Sequence, residues 1–504
     1  MPLCRRGWCT TVLYYAAVTA ATAAAAATAA AGAAAAEGVQ VVVEDEEEEE
    51  PVALREVKRS ESGPTVWSEF SALAAETGAI NLGQGFPNWA PPAFVVRAAQ
   101  QALADGFHQY TRTAGHPNLV RLLARRYTSH FGREVDPFTQ VAITIGASQA
   151  LYVTMQAVLS QGDEVVLLEP FFDLYVGQIR MAGGTPKHVP LTVEDGDWVL
   201  DADRLRRAVG PKTRVVVVNT PHNPTGKVFS RDELETIAQI VRETPRVLVI
   251  SDEVYKYMVY DAPGAGAGPS GGEEEKDGAG DGCSKLAPGH VHFATLPGMW
   301  DRTITISSAG KTFSVTGWQV GWVLGPQRVV QEIHTSLPYM QFCVATPMQE
   351  ALATALVEAD RPYEGYPSYY DWLRHQYSAK RAKLAAALEA AGIRPMRSQG
   401  GFFLIGDISG IEVPQDYLSH STPAMPLMTK DWAFCRWMAQ EHGLVAIPTS
   451  PFFSPASRER GLGGNHVRFC FGKTDETLDA AAAALAAMRR KIDGAAEAGA
   501  SGDS

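Results

Sequence analysis

The sequence predicts an α/β protein: a mostly parallel sheet packed between helices, followed by a smaller α+β unit. Short β-branched runs alternate with amphipathic stretches from about Glu56 to Met488. Near-continuous runs such as Val215-Val216-Val217-Val218 mark strands buried on both faces, as in parallel sheets. From about Thr346 the pattern changes to long helical stretches, then separated strands and a closing helix.

Taken in order, strands are expected at Val141–Ile145, Glu164–Leu168, Arg214–Asn219, Val247–Ser251, Thr303–Ser307 and Gln319–Leu324. Helices are expected between them at Ser148–Ser160, Phe172–Ala182, Arg231–Glu243 and Gln327–Leu337. The second unit offers strands at Phe402–Ile405 and Val467–Phe471 and a helix at Thr477–Ile492. The chain therefore divides into an extension (1–55), an N-terminal arm with part of the small domain (56–95), a large domain (96–345), a small C-terminal domain (346–492) and a disordered tail (493–504).

Two stretches fall outside this pattern. Arg5 and Arg6 precede a charge-free, alanine- and threonine-rich run from Gly7 to Ala36. Early arginines, hydroxyls and no acid before Glu37 suit a transit peptide, hence a mitochondrion or chloroplast. A secretory signal around Leu13–Val18 and an addressless extension in a cytoplasmic protein are the alternatives. Residues 261–290 are rich in glycine, alanine and acid and read as a disordered surface insertion. The GxGxxG at Gly266–Gly271 inside it opens no helix and is not a dinucleotide motif.

Composition narrows the function. The 504 residues, 46% hydrophobic and 20% charged, suit a two-domain globular protein with a sizeable core. A formal net charge of -12 argues against nucleic acid as a partner. Alanine and threonine supply too little hydrophobicity for a membrane span in the extension. The cysteines (Cys4, Cys9, Cys283, Cys343, Cys435, Cys470) form no CxxC pair and no zinc spacing, so no metal is expected. Cys343, Cys435 and Cys470 read as buried thiols.

Chemistry concentrates in four side chains. Lys311 lies in Ser307-Ser308-Ala309-Gly310-Lys311-Thr312, where small neighbours let a cofactor approach the end of a strand. Asp252 and Tyr255 lie in Ser251-Asp252-Glu253-Val254-Tyr255, at the carboxyl end of an apolar strand where α/β sheets bind ligands. Asn223 lies in a proline-flanked turn after Val215–Asn219. Lysine to form a Schiff base, carboxylate to keep a pyridine nitrogen protonated and two donors for a phenolic oxygen are what pyridoxal 5′-phosphate (PLP) chemistry needs. Taken singly, Asp252 also reads as a helix N-cap and Asn223 as a turn residue.

Gly146-Ala147-Ser148-Gln149 is a strand-to-helix turn whose amides suit a phosphate. Phe172 is placed to stack on a ring or to fill core. Arg468, inside the apolar His466-Val467-Arg468-Phe469-Cys470, is costly to bury unpaired and suits a substrate carboxylate.

Together these segments resemble the fold-type I PLP enzymes, class I/II aminotransferases, and within them the kynurenine aminotransferase/glutamine transaminase K/cysteine-conjugate β-lyase group. The resemblance runs from Val66 to about Leu485. It includes Val66-Trp67-Ser68-Glu69-Phe70, Asn81-Leu82-Gly83-Gln84-Gly85-Phe86-Pro87, Gln109-Tyr110-Thr111, Leu296-Pro297-Gly298-Met299-Trp300 and Gly443-Leu444-Val445-Ala446-Ile447-Pro448. It implies a seven-stranded, mostly parallel sheet in the large domain and a homodimer with active sites at the subunit interface. By position, it implies that Lys311 is the Schiff-base lysine and Asp252 the pyridinium partner. Asn223 and Tyr255 would hold the ring oxygen and Phe172 would stack. Ala147, Ser148 and Ser308 would contact the phosphate, and Tyr110 would reach the phosphate of the other subunit. Arg468, with Asn223, Trp67 and Gly85, would bind the substrate.

The implied reaction is ping-pong transfer of an amino group from a large neutral or aromatic amino acid (kynurenine, glutamine, methionine or phenylalanine) to a 2-oxo acid, with β-elimination from cysteine conjugates as a side activity. Two departures bear on this. Gln319 stands where the group carries a phosphate-pairing Lys or Arg, a change worth about 1–2 kcal/mol, or about 5- to 30-fold in cofactor affinity. Gln341-Phe342-Cys343 lacks the histidine of some relatives, which speaks against kynurenine specifically. Gln319 also supports a rival reading, a non-catalytic binding protein with a degenerate phosphate site. A second rival, acyl transfer by Ser308-x-x-Lys311, lacks its SDN and KTG partners.

Overall fold

The computed structural model describes residues 64–260 and 288–502, with side chains as far as Gly494. The extension with its targeting signal, most of the glycine-rich insertion, and Cys4, Cys9 and Cys283 lie outside the described residues.

Seven strands form the main sheet: β1 (Val141–Ile145), β2 (Glu164–Glu169), β3 (Thr185–Pro190), β4 (Thr213–Asn219), β5 (Leu248–Asp252), β6 (Thr303–Ser308) and β7 (Val320–Leu324). Their order is β1-β7-β6-β5-β4-β2-β3. Strands β6, β5, β4, β2 and β3 run parallel, and β7 is antiparallel to both its neighbours. Both faces are buried, as the valine run predicts. Val215 and Val217 face one apolar cluster, with helices α1 (Gly146–Val158) and α2 (Gln327–Met340). Val216 and Val218 face the other, with helix α3 (Arg231–Glu243). α3 begins in a capping box between Ser230 and Glu233.

Six expected strands of the main sheet are present within a residue or two, and β3 was not expected. Its sequence, Thr-Pro-Lys-His-Val-Pro, carries two prolines, which an edge strand tolerates. A second, antiparallel sheet contains β8 (Phe403–Asp407) and β9 (His466–Cys470), flanked by Arg394–Pro395 and Ile447–Pro448. Among the described residues no helix is long and apolar enough to cross a membrane.

Three expectations are corrected. Residues 493–502 are not a loose tail: the closing helix runs Asp475–Gly502, carried on by alanine, the strongest helix former. Gln319 is not in a strand but has a left-handed backbone (φ 53°) in the turn before β7. The end of the insertion is structured, because His290 and His292 are buried against Glu253.

That last grouping also gathers ligand-type residues whose spacing in sequence gave no metal pattern. One oxygen of Glu253 meets His290 Nε2 at 3.3 Å and His292 Nδ1, and the other accepts from Ser251 Oγ at 2.8 Å. Burial alone would raise the Glu253 pKa, but the imidazole contacts outweigh it and hold it below the ordinary carboxylate range. Removing the carboxylate leaves these buried donors unpaired. Glu253→Ala is therefore expected to lower unfolding free energy by about 3 kcal/mol, read as a lower urea midpoint at unchanged slope.

Candidate active site

The carboxyl ends of β4, β5 and β6 open on one cavity of about 270 Å³. Adjacency of parallel strands puts Asn219 and Asp252, the last residues of β4 and β5, in register, with Asp252 opposite Ile306 of β6. The turn after β6 then brings Lys311 to the same edge.

Asp252 is buried, and its carboxylate accepts from the Tyr175 hydroxyl at 2.7 Å and from Val254 N–H at 3.3 Å. Burial raises its pKa to about 6, against the pull of those bonds and of the Lys311 charge. Lys311 Nζ donates to the Gly85 carbonyl at 2.9 Å. Burial lowers its pKa to about 8, and Arg468 and Lys473 act in the same direction. An acid raised and a base lowered in one cavity is the arrangement expected of proton-transfer groups.

Asn219 fixes the neighbourhood. Its amide donates to the Asp252 main-chain oxygen at 2.9 Å and its carbonyl accepts Asn223 N–H at 2.7 Å. Arg468 is fully buried in β9. It donates to Asn223 Oδ1 at 3.1 Å and the Gly83 carbonyl at 2.8 Å, and its Nε has no partner among the described residues. Its guanidinium lies 4.2 Å from the Phe403 ring centre and 5.1 Å from that of Trp67. Burial lowers its pKa to about 10, which leaves it charged at neutral pH. Trp67 is held by its indole N–H, which donates to Asp173 at 2.5 Å.

At the far end α1 begins without a side-chain cap; Gly146 N–H donates to the Gln319 carbonyl at 2.8 Å, and the amides that follow it at Ala147 and Ser148 border the cavity, where an anion could take them. Gly146 has φ 67°, and a Cβ there would lie 2.7 Å from Gln319 Oε1. Gly321 lets β7 approach this turn, since a Cβ would stand 2.4 Å from the Gly146 carbonyl carbon. Gln319 donates its amide to the Thr316 carbonyl.

The cavity thus brings together Trp67, Gly85, Ala147, Ser148, Phe172, Asn223, Asp252, Tyr255, Ser308, Lys311 and Arg468. Tyr110 does not line it. It is 79% exposed and rests on Phe342, with ring centres 4.6 Å apart. Tyr175 and Asn219 line the cavity and were missed in the sequence. Tyr175 follows Phe172 by three residues, on the same side of a helical turn. Asn219 ends a buried strand just as Asp252 does.

Residues 77–485 match the family model described as aminotransferase class I and II. The chain belongs to that family. A kynurenine–oxoglutarate transaminase of Dictyostelium discoideum is 41% identical over 84% of this chain and 93% of its own length. Kynurenine–oxoglutarate transaminase 3 of Homo sapiens is 38% identical over 82% and 86%. Among solved structures, Bna3p of Saccharomyces cerevisiae, a putative kynurenine aminotransferase, matches with TM-score 0.76 and 30% identity, over 88% of this chain and all of that one. YbdL of Escherichia coli, with a methionine aminotransferase function, matches with TM-score 0.71 and 29% identity, over 86% and 99%. This aminotransferase is thus an enzyme, and the acyl-transfer and non-catalytic readings fall. Members of its family depend on PLP in general.

Tyr175→Phe removes one charge-assisted bond to Asp252. It is expected to lower kcat/KM about 10-fold, with the thermal unfolding midpoint within a few degrees of the parent.

Proposed function

We propose that this aminotransferase binds PLP in the cavity and moves the amino group of a large neutral or aromatic amino acid to a 2-oxo acid. The carrying observation is the pair Asp252 and Lys311 in one desolvated cavity, an acid raised to about 6 and a base lowered to about 8. Asp252 has no ion-pair partner among the described residues, and a protonated ring nitrogen is the charge it lacks. The residues fit the rest of the cofactor. Tyr255 and Asn223 offer donors for the ring oxygen, Phe172 a face for the ring, and the start of α1 with Ser148 and Ser308 an anion site.

When bound, PLP supplies the electron sink that makes a substrate Cα–H acidic. Lys311 Nζ would hold the cofactor, and its amine is the base within the cavity that would take and return the substrate Cα proton. Its lowered pKa makes an amine free to do so near neutrality. Asp252, held by Tyr175 and Asn219, keeps the ring-nitrogen proton in place. Arg468, with an unpartnered Nε, binds the substrate carboxylate, and Trp67 and Phe403 exclude water and favour apolar side chains.

The donor class is supported by this apolar wall and by relatives named for kynurenine and methionine. None of residues 341–346 lines this chain's own cavity, but Phe342 packs on Tyr110, so in a homodimer the segment would stand near the partner's site. A homodimer is supported by the exposed neighbours Tyr110, Phe342 and Tyr339, the last 90% exposed. Tyr110 would serve the partner's site.

Two measurements test this reading. Protein supplied with PLP is expected to show an absorption band that shifts with phenylalanine, methionine or kynurenine and recovers with a 2-oxo acid. Lys311→Ala abolishes the cycle. A band indifferent to every amino acid would sink the proposal. Gln319→Arg is expected to tighten PLP about 5- to 30-fold by equilibrium dialysis, since it restores a charge beside the helix start.

A further inference from the structure

The turn Gly83–Phe86 is gripped by three cations, Arg468 and Lys473 buried and Lys311 half-buried, and the reaction does not use Lys473. Its carbonyls alternate in direction. Gly83 O accepts from Arg468 at 2.8 Å and Gly85 O from Lys311 at 2.9 Å, and both donors line the cavity. Gln84 O and Phe86 O accept from Lys473 Nζ, each at 3.0 Å. Lys473 lies behind the turn, in a shallow groove with Asn88 and Glu476, and does not line the cavity.

Lys473 is only 3% exposed. Among the described residues it forms no ion pair; it has the two carbonyls and the Phe86 ring, whose centre lies 4.7 Å away. A buried ammonium without a carboxylate is expensive, and a neutral side chain would fill the same space. Gln84 O also accepts Phe86 N–H at 3.1 Å, and the ammonium adds to that a two-point hold across the turn, which a neutral side chain would not supply.

Peptide planarity gives that hold a consequence. Across the trans peptide 84–85, the Gln84 carbonyl and the Gly85 N–H point in opposite directions. With Gln84 O fixed on Lys473, Gly85 N–H is turned away from Lys473; Gly85 lines the cavity, and among the described residues its N–H donates to no protein atom. Gly85 cannot adjust by bulk, because a Cβ there would stand 2.6 Å from the Phe403 ring. One segment makes both grips. Cys470 N–H donates to Leu82 O at 2.7 Å, Arg468 precedes it in β9, and Lys473 follows in the next turn.

We infer that Lys473 is a positioning residue that acts from outside the cavity, holding the Gly83–Phe86 turn so that Gly85 N–H and Arg468 together receive the substrate carboxylate. The inference rests on the reading of Arg468 as the carboxylate grip of an aminotransferase site. It predicts an effect confined to ligands that carry a carboxylate.

The test uses PLP-loaded enzyme and two probes read through the cofactor's absorption: 3-phenylpropionate, a carboxylate without an amine, and 2-phenylethylamine, an amine without a carboxylate. Lys473→Met is expected to raise the Kd of 3-phenylpropionate and the KM of phenylalanine about tenfold, the equivalent of one hydrogen bond. The response to 2-phenylethylamine, the kcat and PLP affinity should stay within about threefold. Lys473→Arg, which keeps charge and donors, should recover most of the loss. An unchanged Kd for 3-phenylpropionate, or an equal weakening of both probes, overturns the inference. Should Lys473→Met fail to fold, Lys473→Gln, which can hold only one carbonyl, is read by the same two probes. Failure of the parent reading looks different: the wild-type band would not respond to phenylalanine at all.

Discussion

A carboxylate buried at the end of a parallel strand, without a cation of its own, is the constraint around which the centre of this protein is arranged. Raising Asp252 from 3.8 to about 6 corresponds to roughly 3 kcal/mol held against the ionised form. A fold tolerates that only if other contacts restrain the group, and here they come from both sides. Tyr175 donates to the carboxylate, and Asn219 holds the backbone that carries it. Lys311, across the cavity, contributes the favourable charge. The strain is local and directional: it is relieved by a protonated nitrogen placed against Asp252, which is the ligand the proposed chemistry requires.

The sheet supplies the rigidity this needs. Residues on β4 and β5 pack alternately into the two apolar layers, so neither strand can slip by one residue without exchanging every side chain between faces. Asn219 and Asp252 are held opposite each other by that register. The antiparallel β7 extends the same logic to the phosphate end. Gly321 lies against Ser308 on one side, and its missing Cβ lets Gly146 and Ala147 sit close on the other. The Asp252 end and the Gly146 end of the cavity are therefore spaced by strand pairing.

Much of this was legible in the sequence because buried parallel strands are nearly all apolar, and a charged or amide residue ending one stands out. Asp252 was found that way, Arg468 as a charge inside an apolar strand and Lys311 from the small residues before it, whereas Asn219 passed as an ordinary strand end. Tyr175 was not, since a tyrosine on an apolar helical face looks like core. Lys473 was not, since a lysine after a strand looks like solvated loop, and only the fold shows it buried. Nor could His290 and His292 be separated from the insertion before them, because their role depends on Glu253, remote in sequence. The common element in these misses is a polar group whose partner is brought by tertiary structure.

The same distinction bears on Gln319. In sequence it reads as a lost charge, and alone it would mark a degenerate site. In the fold its left-handed backbone and its bond to Thr316 place the amide beside Gly146, at the open end of α1. Lys311, Asp252 and Arg468 all remain assembled in the cavity, and the proposed phosphate site beside Gln319 still has Ser148 and Ser308. On the proposed reading, a neutral residue there would weaken the hold on the cofactor and leave the proton-transfer groups untouched. Binding strength and chemistry are carried by different ends of the cavity, which is why one can vary without the other.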